Sequence, residues 1–247
     1  MPVLSLVGAA SALGVVIGLG GSPPRHISRP RGAPLLCVAT EPIRLLPLCA
    51  VVPFPQAPAY LVSVSSDDAA HVPDGQLVGL LPRAEHGGLR RVGVLARAGH
   101  AVTGGTVLAC EPRSRFSLAS DAAEQGGALS GLTEPFDDDV LAGEEAAEAT
   151  SMCETLWRQC GELDRLCSDA QGEAVDTNAA LRQVHSFRSD PCTFSLALAG
   201  ILEIEAAEAL TLLESRSTLE RLRALDDLLR ESLYFAAARA SLRRLML

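Results

Sequence analysis

The hydrophobic pattern of this chain changes its period near the middle, and that change constrains the fold more than any other feature. Between residues 43 and 118, short apolar and β-branched runs alternate with Pro- and Gly-containing turns, which is typical of a small barrel or sandwich. From residue 144 onward the apolar residues recur at helical spacing. The sequence therefore predicts an α+β protein, with a small β-barrel or sandwich domain at residues 41–136 and a helical bundle at residues 137–247.

Five runs in the first part are strand candidates, each bounded by turn residues. They are LLPLCAVVPF (45–54), AYLVSVS (59–65), QLVGLLP (76–82), RRVGVLARA (90–98) and TVLACEPRSRFSLAS (106–120). In the second of these, Tyr60, Val62 and Val64 fall on one face, and the serines at 63 and 65 fall on the other, so this run is predicted to have one inward face. The short runs and frequent turns predict an all-β first domain.

A seam of small and apolar residues begins the helical part: Cys153, Leu156, Cys160, Leu163 and Cys167. On a helix, cysteines seven residues apart are separated by about 10.5 Å, beyond the roughly 7 Å reach of a disulfide. We therefore interpret these cysteines as small buried hydrophobes that pack against neighbouring helices.

Capping patterns locate the other helices. Asp190 and Pro191 are a typical N-cap and first helical residue, and Ser217 with Glu220 forms a capping box that opens a long terminal helix at 218–245. The run Asp137–Asp139, with the glutamates that follow it, is interpreted as a solvated cap at a helix start.

The chain contains no lysine, since all 21 of its basic residues are arginine. A P-loop ATPase, a Ser-Lys hydrolase and a pyridoxal enzyme each depend on a lysine. We therefore predict that the protein is not an enzyme and that it binds no cofactor.

The cysteines and histidines suggest two kinds of site, a thiol nucleophile and a zinc site. Cys110 with His100 or His86 would be a thiol nucleophile with its base, but the cysteine lies in the apolar run TVLAC, and no third orienting group is identifiable. Histidines 26, 71, 86, 100 and 185 lack the spacing of zinc ligands. We predict neither catalytic nor metal-binding residues.

The first 40 residues have the composition of a targeting leader. Residues 3–21 are an uncharged, Gly- and Ala-rich run, and an acid-free stretch with Arg25, Arg29 and Arg31 follows it. A signal-like run followed by a transit-like run resembles the bipartite leaders of algae with complex plastids. We expect residues 1–40 to direct the protein to a plastid; the alternative is a membrane anchor formed by residues 3–21.

Three stretches resemble the LON substrate-binding domain, the N-terminal region of Lon proteases that also occurs alone. They are LLPLCAVVPFPQAPAYL, then LVGLLPR with VGVLARAGHAVTGGTVLACEPRSRFSL, and then FSLALAGIL with the terminal ALTLLESRSTLERLRALDDLLRESLYFAAARASLRRL. Arg115-Phe116 occupies the family's terminal "Rf" position, and the final stretch is similar to stand-alone plastid proteins of plants. The resemblance covers residues 43–247.

The resemblance implies a PUA-like β-barrel beside a helical bundle, without the ATPase and peptidase domains of a complete Lon protease. It implies no catalytic set, and it leaves the partner-binding residues unknown. The family's aromatic-acidic segment after the first strand is absent, because residues 62–67 read VSVSSD at that place. A ligand-binding role for that rim is therefore not carried over.

The favoured function is a non-catalytic module that binds a polypeptide segment or a protein partner, as an adaptor for a separate protease or chaperone or as an assembly factor in proteostasis. Without residues 1–40, 18 arginines face 30 acids, a net charge of −12, which disfavours DNA and acidic ligands. The alternative is an RNA-binding PUA-like module. Its candidate basic face consists of Arg90, Arg91, Arg97, Arg113 and Arg115.

Overall fold

A computed structural model describes residues 42–48, 51–64, 72–83, 88–102, 107–125, 128–171 and 177–246. Its strands are β1 (Ile43–Leu48), β2 (Tyr60–Ser63), β3 (Leu77–Pro82), β4 (Val92–Val102), β5 (Val107–Leu118), β6 (Ala123–Gln125), β7 (Ala128–Gly131) and β8 (Thr133–Pro135). Its helices are α1 (Gly143–Gln171), α2 (Thr177–His185), α3 (Pro191–Ala199), α4 (Ala206–Glu214) and α5 (Thr218–Met246). The predicted α+β class, with strands first and helices after, is confirmed.

The strands form one mixed sheet in the order β2-β5-β4-β3-β1-β7-β6, with β8 also paired to β5. Strands β4 and β5 are a long antiparallel hairpin, whereas β1 pairs in parallel with β3. Alternate residues of these strands share one face of the sheet and form an apolar core there, as the pattern of apolar residues predicts. The largest apolar set there is Leu46, Leu48, Val62, Val78, Leu80, Ala96, Ala98, Leu108 and Cys110.

Gly93 allows the sheet to close around an aromatic ring. A Cβ built on Gly93 would lie 2.5 Å from the main-chain oxygen of Leu80 and 2.8 Å from Cζ of Phe116. Such distances leave no room for a side chain, so the fully buried Phe116 packs directly over the backbone of β4.

The largest core joins the sheet to the helices. Phe54, Ala57 and Val94 come from the β-rich part, and they share this core with the seam of α1. Cys153, Leu156, Cys160 and Leu163 are at most 1% exposed, which confirms the inward packing of the seam up to Leu163, while Cys167 at its end is only partly buried. The first predicted strand, 45–54, is wrong in its end: β1 ends at Leu48, residues 51–54 lie outside the sheet, and Phe54 packs in the core that the helices share.

Helices α1 and α5 pack along each other. Arg223 donates to Glu148 at 2.7 Å, and Gln159 donates to Asp226 at 2.8 Å. The two contacts occur in the same order along both helices, which therefore run parallel. The predicted caps are present: Asp190 accepts from the main-chain nitrogen of Thr193, and Ser217 accepts from that of Glu220.

The predicted leader, residues 1–40, lies outside the described residues, and so does the proposed anchor at 3–21. Within the described ranges, no helix is both long enough and apolar enough to cross a membrane. The division between residues 136 and 137 stays a prediction.

Candidate functional site

Three ionisable side chains are buried together where the sheet meets the helices. Arg115 belongs to β5, Asp138 lies between β8 and α1, and Arg221 lies in the first turn of α5. Their side chains are 2%, 5% and 0% exposed, respectively. Arg115 donates to one carboxylate oxygen of Asp138 and Arg221 donates to both, and the Thr218 hydroxyl adds a further hydrogen bond of 2.7 Å. We call Arg115, Asp138 and Arg221 the buried ion cluster.

Both guanidinium groups of the buried ion cluster also bind neighbouring helices. Arg115 donates to the main-chain oxygens of Leu213 at 2.8 Å and Ser215 at 2.6 Å. Arg221 donates to the Ser215 oxygen at 3.1 Å and to the Ser195 hydroxyl at 2.9 Å. These bonds satisfy carbonyl groups that the end of α4 leaves without helical partners. The cluster therefore ties β5 to α3, α4 and α5.

The electrostatics of the buried ion cluster indicate a structural role. Burial alone would raise the pKa of Asp138, but the hydrogen bonds and charges of Arg221 and Arg115 hold that pKa below its ordinary value. The neighbouring Cys192 has its thiol pKa raised to about 12, first by burial and then by Asp138. The carboxylate is thus ionised and paired, the thiol is protonated, and neither is suited to proton transfer near neutral pH.

This cluster corrects two predictions. Arg115 was expected on an outward basic face, but the helices cover its side of β5 and Asp138 neutralises it. The run Asp137–Asp139 was expected to be a solvated helix cap, but α1 begins only at Gly143. Asp138 instead points into the protein, where its carboxylate binds the two buried arginines.

The other arginines of the predicted basic face have local partners. Arg90 lies 3.7 Å from a carboxylate oxygen of a glutamate in α4, and Arg91 donates at 3.2 Å to the carbonyl that ends β5. Arg113 pairs with a glutamate two residues before it, whereas Arg97 is exposed on β4. With Arg115 buried as well, the five residues do not form the single basic face that the RNA alternative requires.

Two aromatic side chains, Tyr60 and Phe116, lie among these arginines, and both pack against the protein. Phe116 is fully buried, and the Tyr60 hydroxyl accepts a hydrogen bond of 3.2 Å from the main-chain nitrogen of Phe54. Burial raises the pKa of Tyr60 to about 12. Neither ring presents the open face that base stacking needs.

The proposed thiol site is not supported by the position of its nucleophile. Cys110 is fully buried in the sheet interior, and burial raises its pKa to about 11. A nucleophilic cysteine needs a lowered pKa and access to solvent. His86 and the side chain of His100 lie outside the described part of the chain.

The described ranges contain no group of three His, Cys, Asp or Glu side chains placed to hold a metal ion. His26 and His71 lie outside those ranges. His185 is exposed, and its ring lies 4.7 Å from that of Trp157, so the structure places it at the surface of the helical part.

An apolar patch crosses the outer face of the sheet. Leu61 on β2 is 41% exposed and pairs with Ala109 on β5. Gly99 on β4 adjoins this pair, because a Cβ built on it would lie 3.7 Å from the Ala109 Cβ. Leu77 on β3 is 51% exposed and pairs with Arg97. We call Leu61, Leu77, Gly99 and Ala109 the outer apolar face; its small residues form a shallow floor between the two leucines.

The outer apolar face adjoins one edge of the sheet. Strand β2 is the first in the strand order and pairs with β5 alone among the described strands. An edge strand offers main-chain donors and acceptors to an added extended segment. Leu61 lies on this strand, so a segment added there would find apolar contacts beside its main-chain partners.

Of the comparisons with known proteins, the one with solved structures bears on the fold. No family model and no curated protein sequence matches the chain. Among solved structures, it is similar to the N-terminal domain of a Lon protease of the Mycobacterium avium complex, with 18% identity, a TM-score of 0.58, and coverage of 77% of this chain and 98% of that one. A Lon N-terminal domain protein from Xanthomonas campestris gives 18% identity, a TM-score of 0.46, and coverage of 75% and 96%, respectively.

At this identity the likeness shows the fold and nothing finer. The described strands and helices have the fold of a Lon N-terminal domain, as the sequence resemblance implied, and the match spans nearly the whole length of the first solved chain. The plastid type gains no support from these neighbours.

Sequence reasoning missed both the outer apolar face and the buried ion cluster. A signal for the face existed in Leu77 and Leu61, which stand out of phase with the inward residues of their strands. A signal for the cluster existed in Arg115 beside Phe116, because a charged residue next to a core aromatic in a strand needs a buried partner or an exposed edge.

Proposed function

We propose that this chain is a non-catalytic protein-binding module that holds an extended polypeptide segment across the outer apolar face. The observation that carries the proposal is the joining of that face to the edge of β2. Main-chain groups of the edge would give affinity without sequence preference, and Leu61 and Leu77 would select apolar side chains. The Lon N-terminal fold is consistent with this role.

The charge of the chain supports apolar rather than acidic clients. Residues 41–247 carry a net charge of −12, which repels acidic segments at a distance. On the same face, Arg97 beside Leu77 is opposed across the strands by the exposed Glu111, so the face itself carries no excess positive charge. We therefore expect clients to be apolar segments with few acidic residues.

The binding face can be tested with fluorescein-labelled β-casein, an unfolded polypeptide, titrated with the full chain by fluorescence anisotropy. Leu61→Glu and Leu77→Glu place a charge on the face, while Val140→Glu makes the same change at a position that is 91% exposed elsewhere. Burying a half-exposed leucine contributes about 1 kcal/mol, so each face variant should weaken binding at least about fivefold.

The control Val140→Glu should bind like the parent. If the two face variants also bind like the parent, the outer apolar face is not the site. If the parent captures neither β-casein nor any member of an array of overlapping client peptides, the protein-binding function itself is refuted.

The cellular role is a further part of this proposal. We propose that the module works in a plastid, reached through residues 1–40, as an adaptor for a separate protease or chaperone or as an assembly factor. Residues 1–40 fused to a fluorescent protein should follow chlorophyll in an alga with complex plastids. Retention in secretory membranes would favour an anchor at residues 3–21 instead.

A further inference from the structure

The last part of α5 presents apolar side chains to solvent. In the first part of the helix, Leu222, Leu225 and Leu229 are fully buried. Farther along, Tyr234 is 73% exposed, Phe235 is 38% exposed, and their rings meet edge to face at 5.9 Å. These aromatics are not used by the fold, so they remain available for contact with another molecule.

A stripe along this part of α5 repeats every seven residues. Leu228, Phe235 and Leu242 have that spacing, and Leu242 is 63% exposed whereas Leu228 is half-buried. Glu231 and Arg239 flank Phe235 on the same side of the helix, four residues before and four after it, and both are exposed. A seven-residue repeat is the pattern by which two helices pack along each other.

The stripe is complementary to the same stripe of a second copy that runs antiparallel to it and crosses it at Phe235. Glu231 precedes Phe235 by four residues and Arg239 follows it by four; Leu228 and Leu242 stand seven residues before and after it. Two copies of α5 crossing antiparallel at Phe235 would therefore place leucine opposite leucine and glutamate opposite arginine, twice. A parallel pair would instead oppose like charges.

We propose that the chain forms a two-fold symmetric dimer in which the ends of two α5 helices pack antiparallel through Leu228, Glu231, Phe235, Arg239 and Leu242. The interface is isologous, because each residue meets the partner's counterpart about one axis. Leu228 and Leu242 are 14 positions apart, so the seam is about 21 Å long. So short a seam belongs with the smaller specific interfaces, and we expect dissociation in the micromolar range.

The sequence continues this complementarity one step farther. Asp227 stands eight residues before Phe235, and Arg243 stands eight residues after it. The body of the protein is acidic, whereas the chain from residue 232 onward contains three arginines and no acid. A second copy therefore supplies both the acidic and the basic half of the contact, which few other partners would match in register.

Charge reversal tests the proposal without touching the core. The full chain and its variants are compared by sedimentation equilibrium over a range of concentrations. The parent should approach twice its 25.9 kDa mass as concentration rises. Glu231→Arg alone and Arg239→Glu alone should each weaken self-association at least about tenfold, because like charges then meet at both ends of the seam.

The sharper result comes from combining the two variants. Mixed together, the Glu231→Arg and Arg239→Glu chains should associate one-to-one as tightly as the parent, because each then offers the charges that the other lacks. The double variant should also regain dimerisation. Glu203→Arg, an equal reversal at an exposed position between α3 and α4, is the control and should dimerise like the parent.

Several outcomes would overturn the proposal. The parent could remain monomeric up to several hundred micromolar, or it could associate in a way that neither reversal weakens, as aggregation through residues 3–21 would. Failure of the mixture to restore association would show that the helices do not pair antiparallel at Phe235. None of these outcomes bears on the outer apolar face, whose client binding is measured separately.

Discussion

The substitution Asp138→Asn removes the negative charge from the buried ion cluster and keeps the shape of the side chain. In the parent, Asp138 accepts hydrogen bonds from Arg115, Arg221 and Thr218. An asparagine offers one oxygen in place of two, and its amide group would face guanidinium donors. Two buried arginines would then lack their counter-charge.

The cost follows from the burial of the three side chains, none more than 5% exposed. Removing one member of such a buried pair destabilises a protein by about 3–5 kcal/mol. Because asparagine retains one acceptor, we expect the lower end, about 3 kcal/mol in the free energy of unfolding. The neighbouring Asp139 gives a matched control: it lies 3.7 Å from Arg216, with side chains 71% and 57% exposed, so Asp139→Asn should cost less than about 0.5 kcal/mol.

Equilibrium unfolding in urea measures both variants. Trp157, the single tryptophan of the chain, lies against the core of α1, and its fluorescence reports the helical part. Far-ultraviolet circular dichroism recorded in parallel shows whether sheet and helices unfold together, as a two-state analysis requires.

A loss of stability in Asp138→Asn no larger than that of Asp139→Asn would refute this reasoning. It would mean that the two guanidinium groups find sufficient partners in the Leu213 and Ser215 carbonyls, and that the carboxylate is dispensable for the joint between sheet and helices.

Three further predictions concern stability and thiol chemistry. The arginine partners of Asp138 lower its pKa in the folded protein. Its ionisation therefore stabilises the fold above the ordinary pKa of about 4, and this contribution is lost as the pH falls through the folded value. The difference in free energy of unfolding between the parent and Asp138→Asn, measured in urea, should narrow below about pH 4. Gly161→Ala changes an exposed position of α1, with nothing within 4 Å of the new Cβ, and should raise the free energy of unfolding by about 1 kcal/mol. Gly93→Ala, by contrast, should lower the thermal midpoint of unfolding sharply. In native protein, mass-spectrometric mapping should find Cys167, which is half-buried, alkylated before Cys160, whose pKa burial raises to about 12.

The sequence was sufficient for the elements because their signals are local. The seam of α1 is set by residues three and four positions apart, and the Ser217–Glu220 cap by residues three positions apart; both are present in the structure. The end of β1 was predicted too late because the run up to Phe54 is uniformly apolar. An apolar run does not reveal whether its residues bury themselves in a sheet or against helices.

The buried ion cluster was beyond such reasoning, because its members are 23 and 83 residues apart. Charge alone favours solvent, so the default interpretation of Asp137–Asp139 was a surface cap. Only the tertiary fold shows that two arginines from different elements converge on the middle one of three aspartates. The same holds for the outer apolar face, whose leucines come from strands that adjoin only through β4 and β5.

The position of the buried ion cluster explains how a core poor in aromatics fixes one arrangement of sheet and helices. Leucine and alanine contacts tolerate sliding, since many packings bury similar area. Hydrogen bonds are directional, and those of Arg115 reach Asp138 and the end of α4 at once. A buried ion pair adds little net stability over an apolar substitute, so its main effect here is to exclude other orientations. The outer apolar face and the exposed end of α5 are thereby held in a fixed relation, so the proposed client and the proposed second copy would meet different surfaces of one chain.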